Sequence, residues 1–288
     1  MKQLTVLSGK GGTGKTTVTA SFAVLAGNAI VADCDVDAPN LHMLLHPRIV
    51  ETREFKGSKL AILDKSKCVE CGLCRKRCRF GAITERFEVD PIACEGCGVC
   101  DLVCPVNAIA LSERISGHAY ISKTEHGFMS HAMLSPGEAN SGKLVTLVRQ
   151  NARILAERES SDMVIIDGPP GIACPVIASV TGVDLGLAVT EPSMSGIHDL
   201  ERVLQLLGHF GVRPLVCVNM SDINEENTRK IVSFCKERDV EVVGGIPFNR
   251  VVTEAMVKGK PVVEYAPRSD AAAGIGRAWK RILSLLEL

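Results

Sequence analysis

Leu7-Ser8-Gly9-Lys10-Gly11-Gly12-Thr13-Gly14-Lys15-Thr16-Thr17-Val18 is the stretch that decides the fold. The apolar run Leu4, Val6 and Leu7 before it predicts a buried strand, and the stretch from Val18 to Ala26 predicts a helix. Gly9 to Thr16 spells G-x-x-x-x-G-K-T between the two, the context in which a loop cradles phosphate. Gly11, Gly12 and Gly14 let backbone N–H groups turn inward on phosphate oxygens. The helix N-terminus adds the positive end of its dipole. Lys15 is the cation expected to reach the β- and γ-phosphates, and the Thr16 hydroxyl is the expected Mg²⁺ ligand.

Composition bounds what surrounds this loop. A chain of 288 residues, 46% of them apolar, suffices for one large α/β domain or two smaller ones. It balances 33 basic against 33 acidic residues, so no broad nucleic-acid footprint is expected. Aromatic residues make up only 4%, which argues against stacking platforms for single strands. Leu4 to Leu7 is too short for the apolar core of a signal peptide, and no apolar run approaches the roughly 20 residues of a membrane span. A cytoplasmic location is expected. There thiols stay reduced, so clustered cysteines among the twelve point to metal rather than disulfides.

Lys10 narrows the reading. A second lysine inside the loop, K-G-G-T-G-K-T-T, resembles the deviant Walker A motif of the ATPases related to MinD, ParA and the nitrogenase iron protein. The resemblance implies a homodimer formed with ATP, with Lys10 crossing to the other protomer's nucleotide. It implies that Gly9, Lys10, Gly11, Gly12, Thr13, Gly14, Lys15, Thr16 and Thr17 contact ATP or ADP with Mg²⁺. Asp33-Cys34-Asp35-Val36-Asp37, at the end of a second apolar run, falls where the family carries switch I. Asp35 is then expected to position the attacking water and join the Mg²⁺ shell, with Asp37 as a second candidate. Met163 to Gly171 resembles the Walker B and switch II segment, where Asp167 would hold Mg²⁺ through water and Gly168 and Gly171 would allow movement. Asn219 matches the family's adenine-reading position, and Pro247 to Arg250 the loop that closes over the base. Lys10, Lys15, Asp35 and Asp167 are the expected catalytic set.

The composition changes abruptly after residue 63. Cys68-x-x-Cys71-x-x-Cys74-x-x-x-Cys78 is followed by Cys94-x-x-Cys97-x-x-Cys100-x-x-x-Cys104-Pro105. This resembles a bacterial two-cluster ferredoxin, in which the fourth cysteine of each run ligates the other run's cluster. Cys68, Cys71, Cys74 and Cys104 are the expected ligands of one [4Fe–4S] cluster, and Cys94, Cys97, Cys100 and Cys78 those of the second. Zinc on CxxC pairs is the alternative. Cys68 to Ile83 and Cys94 to Ile109 form an internal repeat, in which Arg79 replaces the proline expected after Cys78. Arg75, Lys76, Arg77 and Arg79 surround the first run, either as a docking patch for an acidic redox partner or as a solvated face.

The remaining stretches are read more coarsely. His42 and His46 stand four apart on an expected helix, without a third ligand nearby. Residues 59–63 read as a strand, and 116–134 as a β-hairpin. Gly137 to Leu144 imitates the first loop, but Leu144 stands where a Mg²⁺-binding hydroxyl would be; Ser141 reads as the cap of a helix over 143–159. Strands are expected at 185–190, 215–219 and 240–246, and helices at 197–210, 225–238, 251–258 and 271–286. The last helix is amphipathic, as are the membrane-seated C-terminal helices of MinD proteins, but core packing is the expected use and membrane binding is not expected. Cys34, Cys217 and Cys235 lie in or near apolar runs as buried thiols. Cys174 lies seven residues after Asp167 on the segment expected to move. It is open to three readings: packing, a bridging cluster as in the nitrogenase iron protein, or a thiol at the dimer interface.

The expected fold is a doubly wound α/β domain, residues 1–63 and 113–288, with a mostly parallel sheet and a ferredoxin module inserted at 64–112. The expected function is electron transfer through two [4Fe–4S] clusters gated by ATP hydrolysis. A scaffold or carrier in iron–sulfur or other metallocofactor assembly is the alternative, and a MinD-type positioning ATPase the third reading. The partner is accordingly a redox or cofactor-assembly protein.

Overall fold

A computed structural model describes residues 1–138 and 142–288. The expected cap Ser141 and the middle of the Gly137–Leu144 stretch lie outside the described residues. The chain runs β1 (Lys2–Ser8), α1 (Lys15–Ala26), β2 (Ile30–Asp33), α2 (His42–Leu45), β3 (Arg48–Phe55), β4 (Ser58–Leu63), α3 (Leu73–Arg77), α4 (Val99–Leu102) and β5 (Ile109–Arg114). It continues through β6 (Gly117–Thr124), β7 (Gly127–Leu134), α5 (Lys143–Arg158), β8 (Met163–Pro170), α6 (Cys174–Val180), β9 (Leu185–Thr190) and α7 (Met194–His209). It ends with β10 (Arg213–Asn219), α8 (Glu225–Lys236), β11 (Glu241–Ile246), α9 (Arg250–Val257), α10 (Val262–Tyr265) and α11 (Asp270–Leu286).

Two compact units share this order. The first comprises residues 1–52, 119–133 and 140–288. Its strands belong to a nine-stranded sheet of order β11-β10-β9-β1-β8-β2-β7-β6-β3. Neighbours from β11 across to β7 pair in parallel. Such strands are covered on both faces, which is why β1, β8 and β9 read as nearly unbroken apolar runs. The order reverses beside β1, and the loop leaving its carboxyl end is the phosphate-binding stretch, as crossover topology requires. The core gathers Leu4, Val6, Val18, Phe22, Ile165, Leu187 and Trp279. Phe22 meets Trp279 with ring centroids 4.9 Å apart. The apolar face of α11, including Ile275, Trp279 and Ile282, is spent in this core. Among the described residues no helix is long and apolar enough to cross a membrane.

The helix expected to carry His42 and His46 is a single turn. His46 ends it in a left-handed conformation (φ 43°), so the two rings do not stack at helical spacing, and His46 Nε2 lies 2.7 Å from the Gly259 carbonyl oxygen.

The second unit comprises residues 53–118 and 134–139. It reaches beyond 64–112 because β4 and β5 pair antiparallel, Ser58 opposite Arg114 and Leu63 opposite Ile109. Its small core is Ala61, Cys74, Ile83 and Ile109, joined by Leu63, Phe87, Val89 and Leu111.

Candidate functional site

Gly14 shapes the loop after β1. It opens α1 in the left-handed region (φ 90°), and a Cβ there would come within 2.2 Å of Asn219 Nδ2. Only glycine meets both demands. The close approach lets the Asn219 amide donate to the Thr13 carbonyl at 2.9 Å, tying the end of β10 to the loop. Asn219 thus stands at the loop, and Pro247 follows β11, whose last carbonyl, on Ile246, accepts from Ser221 N.

Lys15 is buried at the first turn of α1. Its Nζ donates to Asp167 Oδ1 at 2.9 Å and lies 3.9 Å from Asp35 Oδ2. Thr16 and Thr19 donate to the same carboxylate at 2.9 and 2.8 Å. Burial opposes the Lys15 charge, but Asp167, Asp35 and Asp33 outweigh it and hold its pKa above the usual lysine value. Burial pushes the Asp35 carboxyl up, with Lys15 pulling the other way. The Thr16 hydroxyl, a hard oxygen donor of the kind Mg²⁺ takes, stands 2.9 Å from the Asp167 carboxylate, close enough for a water on the ion to reach that acid.

Three members of this arrangement were not singled out by their sequence. Asp33 lies directly opposite Asp167 in the β2–β8 register. Its Oδ1 accepts from Asp35 N at 3.2 Å, while Oδ2 is buried without a hydrogen-bond partner. Burial and then the field of Asp167 push its pKa well up. Its signal was the D-x-D spacing with Asp35. Thr19 could have been found one turn after Lys15. Glu191 carried no local signal at all.

Lys10 does not point at Lys15. Its Nζ lies 2.7 Å from Glu191 Oε1 and 2.8 Å from Ser195 Oγ, at the start of α7. The hydrogen bond from Lys10 holds the Glu191 carboxyl below its usual range. Asp37 acts on this set through its charge, which helps to raise the Asp35 carboxyl; Cys174 is exposed as the first residue of α6. Burial pushes the thiols of Cys217 and Cys235 up, to about 12 and about 11, and Cys34 higher still, as suits inert packing residues.

The second unit brings the eight clustered cysteines into two sets. Cys68, Cys71, Cys74 and Cys104 line one recess, with Leu73, Phe87 and Ile109. Cys78, Cys94, Cys97 and Cys100 line another, with Phe80, Ile83 and Leu111. Each set takes three cysteines from one run and the fourth from the other. Thiolates on one zinc ion lie about 3.8 Å apart, from a Zn–S bond of about 2.3 Å. Among the described residues no three His, Cys, Asp or Glu side chains converge closely enough to hold a single ion. A cubane needs its ligands spread around a larger body, and the two recesses fit that need. Burial pushes the Cys74 and Cys100 thiols up.

Residues 4–262 match the family model for the CobQ/CobB/MinD/ParA nucleotide binding domain. The chain belongs to this family. Its phosphate loop and the Lys15–Asp167 arrangement are therefore those of a nucleotide-binding MinD/ParA-family P-loop protein. An uncharacterized protein of Methanocaldococcus jannaschii is 35% identical over 232 residues, 78% of this chain and 80% of that one. The septum site-determining protein MinD of Pyrococcus horikoshii, solved with Mg-ADP, shares the fold with a TM-score of 0.63 at 20% identity, covering 99% of this chain and 97% of that one. The pyruvate synthase subunit PorD of Methanothermobacter marburgensis is 45% identical over 49 residues, 17% of this chain and 60% of that subunit.

Proposed function

We propose that this MinD/ParA-family chain is an ATPase that gates one-electron transfer through two [4Fe–4S] clusters. The observation that carries the reading is the sorting of eight cysteines into two recesses, each completed by the other run's fourth cysteine. The short PorD match supports it. When bound, the clusters supply one-electron storage. The protein holds the first on Cys68, Cys71, Cys74 and Cys104 and the second on Cys94, Cys97, Cys100 and Cys78. Phe87 and Ile109 wall one recess and Phe80 and Leu111 the other, while Cys71 and Cys97 stay open to solvent.

In the nucleotide site, Lys15 would pair with the β- and γ-phosphates, Thr16 would ligate Mg²⁺ and Asp167 would hold the ion through water. Asp35, raised in pKa and 3.9 Å from Lys15, orients the attacking water. The glycines flanking Pro169-Pro170 let the segment after Asp167 follow the γ-phosphate. Lys10 leaves Glu191 to reach the other protomer's nucleotide in an ATP-dependent homodimer.

Cys71 and Cys97 are exposed, and this favours a second reading, in which a cluster is handed to an acceptor during cofactor assembly. One anaerobic experiment tests both. The purified chain is expected to carry about eight irons with four-iron EPR signals on reduction. With ATP and an electron acceptor, cluster oxidation should require hydrolysis while iron stays on the chain. Iron moving to an apo-acceptor protein would establish the second reading instead. Iron near zero with zinc near two would overturn both.

A further inference from the structure

The two cysteine runs are copies, and the copies differ in a way that holding metal does not require. Cys68–Ile83 and Cys94–Ile109 align without a gap, cysteine on cysteine. Gly72 (φ 74°) and Gly98 (φ 81°) open α3 and α4 in the same left-handed conformation. Where the first copy has Arg75, Lys76, Arg77 and Arg79, the second has Asp101, Leu102, Val103 and Pro105. The second copy places its cysteines equivalently without one of those cations, so it serves as an internal control. Residues 65–79 hold six basic side chains and one acidic, while the aligned residues 91–105 hold two acidic and none basic.

All four cations are exposed. Arg75 is tied to Glu85 at 2.7 Å, but no ion pair is seen for Lys76, Arg77 or Arg79 among the described residues. Like charges crowded on one turn repel one another, so the fold gains nothing from them. Val69 and Phe80 flank them, 61% and 49% exposed, and Cys71 opens to solvent beside them. Apolar anchors ringed by one sign of charge are the anatomy of a protein-docking face.

We propose that this face, formed by α3 with Arg79 and Phe80, docks an acidic one-electron carrier protein. The proposal rests on the two-cluster reading above. In the encounter the reduced carrier loses one electron and the chain gains one, with no bond made or broken and no proton moved. The chain's charge balance and scarce aromatics favour a protein over nucleic acid as the occupant.

The test mixes the oxidised, iron-loaded chain with a reduced, strongly acidic small ferredoxin in a stopped-flow instrument. Salt is varied from about 0.01 M to about 1 M, where the Debye length falls from about 30 Å to about 3 Å. Arg75→Glu/Lys76→Glu/Arg77→Glu/Arg79→Glu should slow the second-order rate about tenfold or more at low salt, with the difference vanishing at high salt. Lys76→Glu/Arg79→Glu, a milder change, should fall between, and a control on α8 matched to it in charge, Arg229→Glu/Lys230→Glu, should match wild type. Iron content and ATP turnover should be unchanged throughout. Wild-type rates and salt slope in both patch variants would overturn the proposal. So would equal slowing by the α8 control, or intact transfer with lost affinity for a single-stranded oligonucleotide. A wild-type chain without iron defeats the two-cluster reading and the docking face with it; an iron-loaded wild type with salt-independent transfer defeats the docking face alone.

Discussion

Lys15→Ala should destabilise the folded chain by about 3 kcal/mol, with no nucleotide in the assay. The Lys15 and Asp167 side chains are 6% and 1% exposed and meet at 2.9 Å. Removing one partner of a buried pair costs about 3–5 kcal/mol, because the remaining charge keeps its desolvation penalty. Thr16 and Thr19 still donate to Asp167 in the variant, which places the loss at the lower end of that range. Removing both charges in Lys15→Ala/Asp167→Ala should recover most of it, since the penalty belongs to the unpaired carboxylate. The chain's single tryptophan, Trp279, is buried against Phe22 on α1 and reports unfolding of this core by fluorescence. For a domain of roughly 200 residues, about 3 kcal/mol lowers Tm by roughly 6–12 °C. A Lys15→Ala chain melting with wild type, or a double variant whose loss is the sum of the two singles, would refute the reasoning.

Three further outcomes are expected. Cys104→Ser should damage the cluster on the first recess and Cys78→Ser the one on the second, read as loss of one EPR signal and about half the iron; loss confined to the run that carries the substitution would mean that each run keeps its own cluster. Lys10→Ala should bind ATP as wild type does and still form the ATP-promoted dimer in sedimentation velocity, but lose hydrolysis, whereas normal turnover as a monomer would remove the deviant-loop role. Burial, reinforced by His42, lowers the His131 pKa to about 4, so its folded-state contribution is present above an unfolded value of about 6.5 and is lost as pH falls toward 4. His131→Gln should remove a loss of about 2 kcal/mol between pH 7 and pH 5 from the wild-type curve in urea titrations, the raised Asp33 and Asp35 carboxyls acting in the opposite direction in both chains.

The parallel sheet was legible because buried strands are apolar and end in functional residues: Leu4–Leu7 before the loop, Met163–Ile166 before Asp167. The grouping of the cysteines into two recesses follows the interleaving that their spacing led us to expect. What was missed depended on distant partners. β3, RIVETREF, is mostly exposed and carries charged side chains, so no periodicity marked it. Lys10 and Glu191 are 181 residues apart, and nothing near either announces the pair. The limits 64–112 followed the cysteines, whereas the contacts follow the β4–β5 ladder, set by residues outside both runs. Asp33 was visible in the sequence beside Asp35. Only the parallel register with Asp167 makes it the buried member of the two.

That register also bears on how hard it is to release Lys10. The acids nearest Lys15 are locked in a buried network, but Lys10 is held at the rim, where its side chain and that of Glu191 are 33% and 21% exposed. An ion pair this accessible is worth about 0.2–1 kcal/mol, and the hydrogen bond to Ser195 adds about 0.5–1.5 kcal/mol. A charge-assisted bond from Lys10 to a phosphate oxygen across a dimer interface returns about 1.5–3 kcal/mol. The exchange is close to neutral, so Lys10 neither locks the monomer nor drives the dimer. The lysine acts as a weak brake, and the γ-phosphate, through Lys15, Asp167 and the segment after it, is left to set the switch.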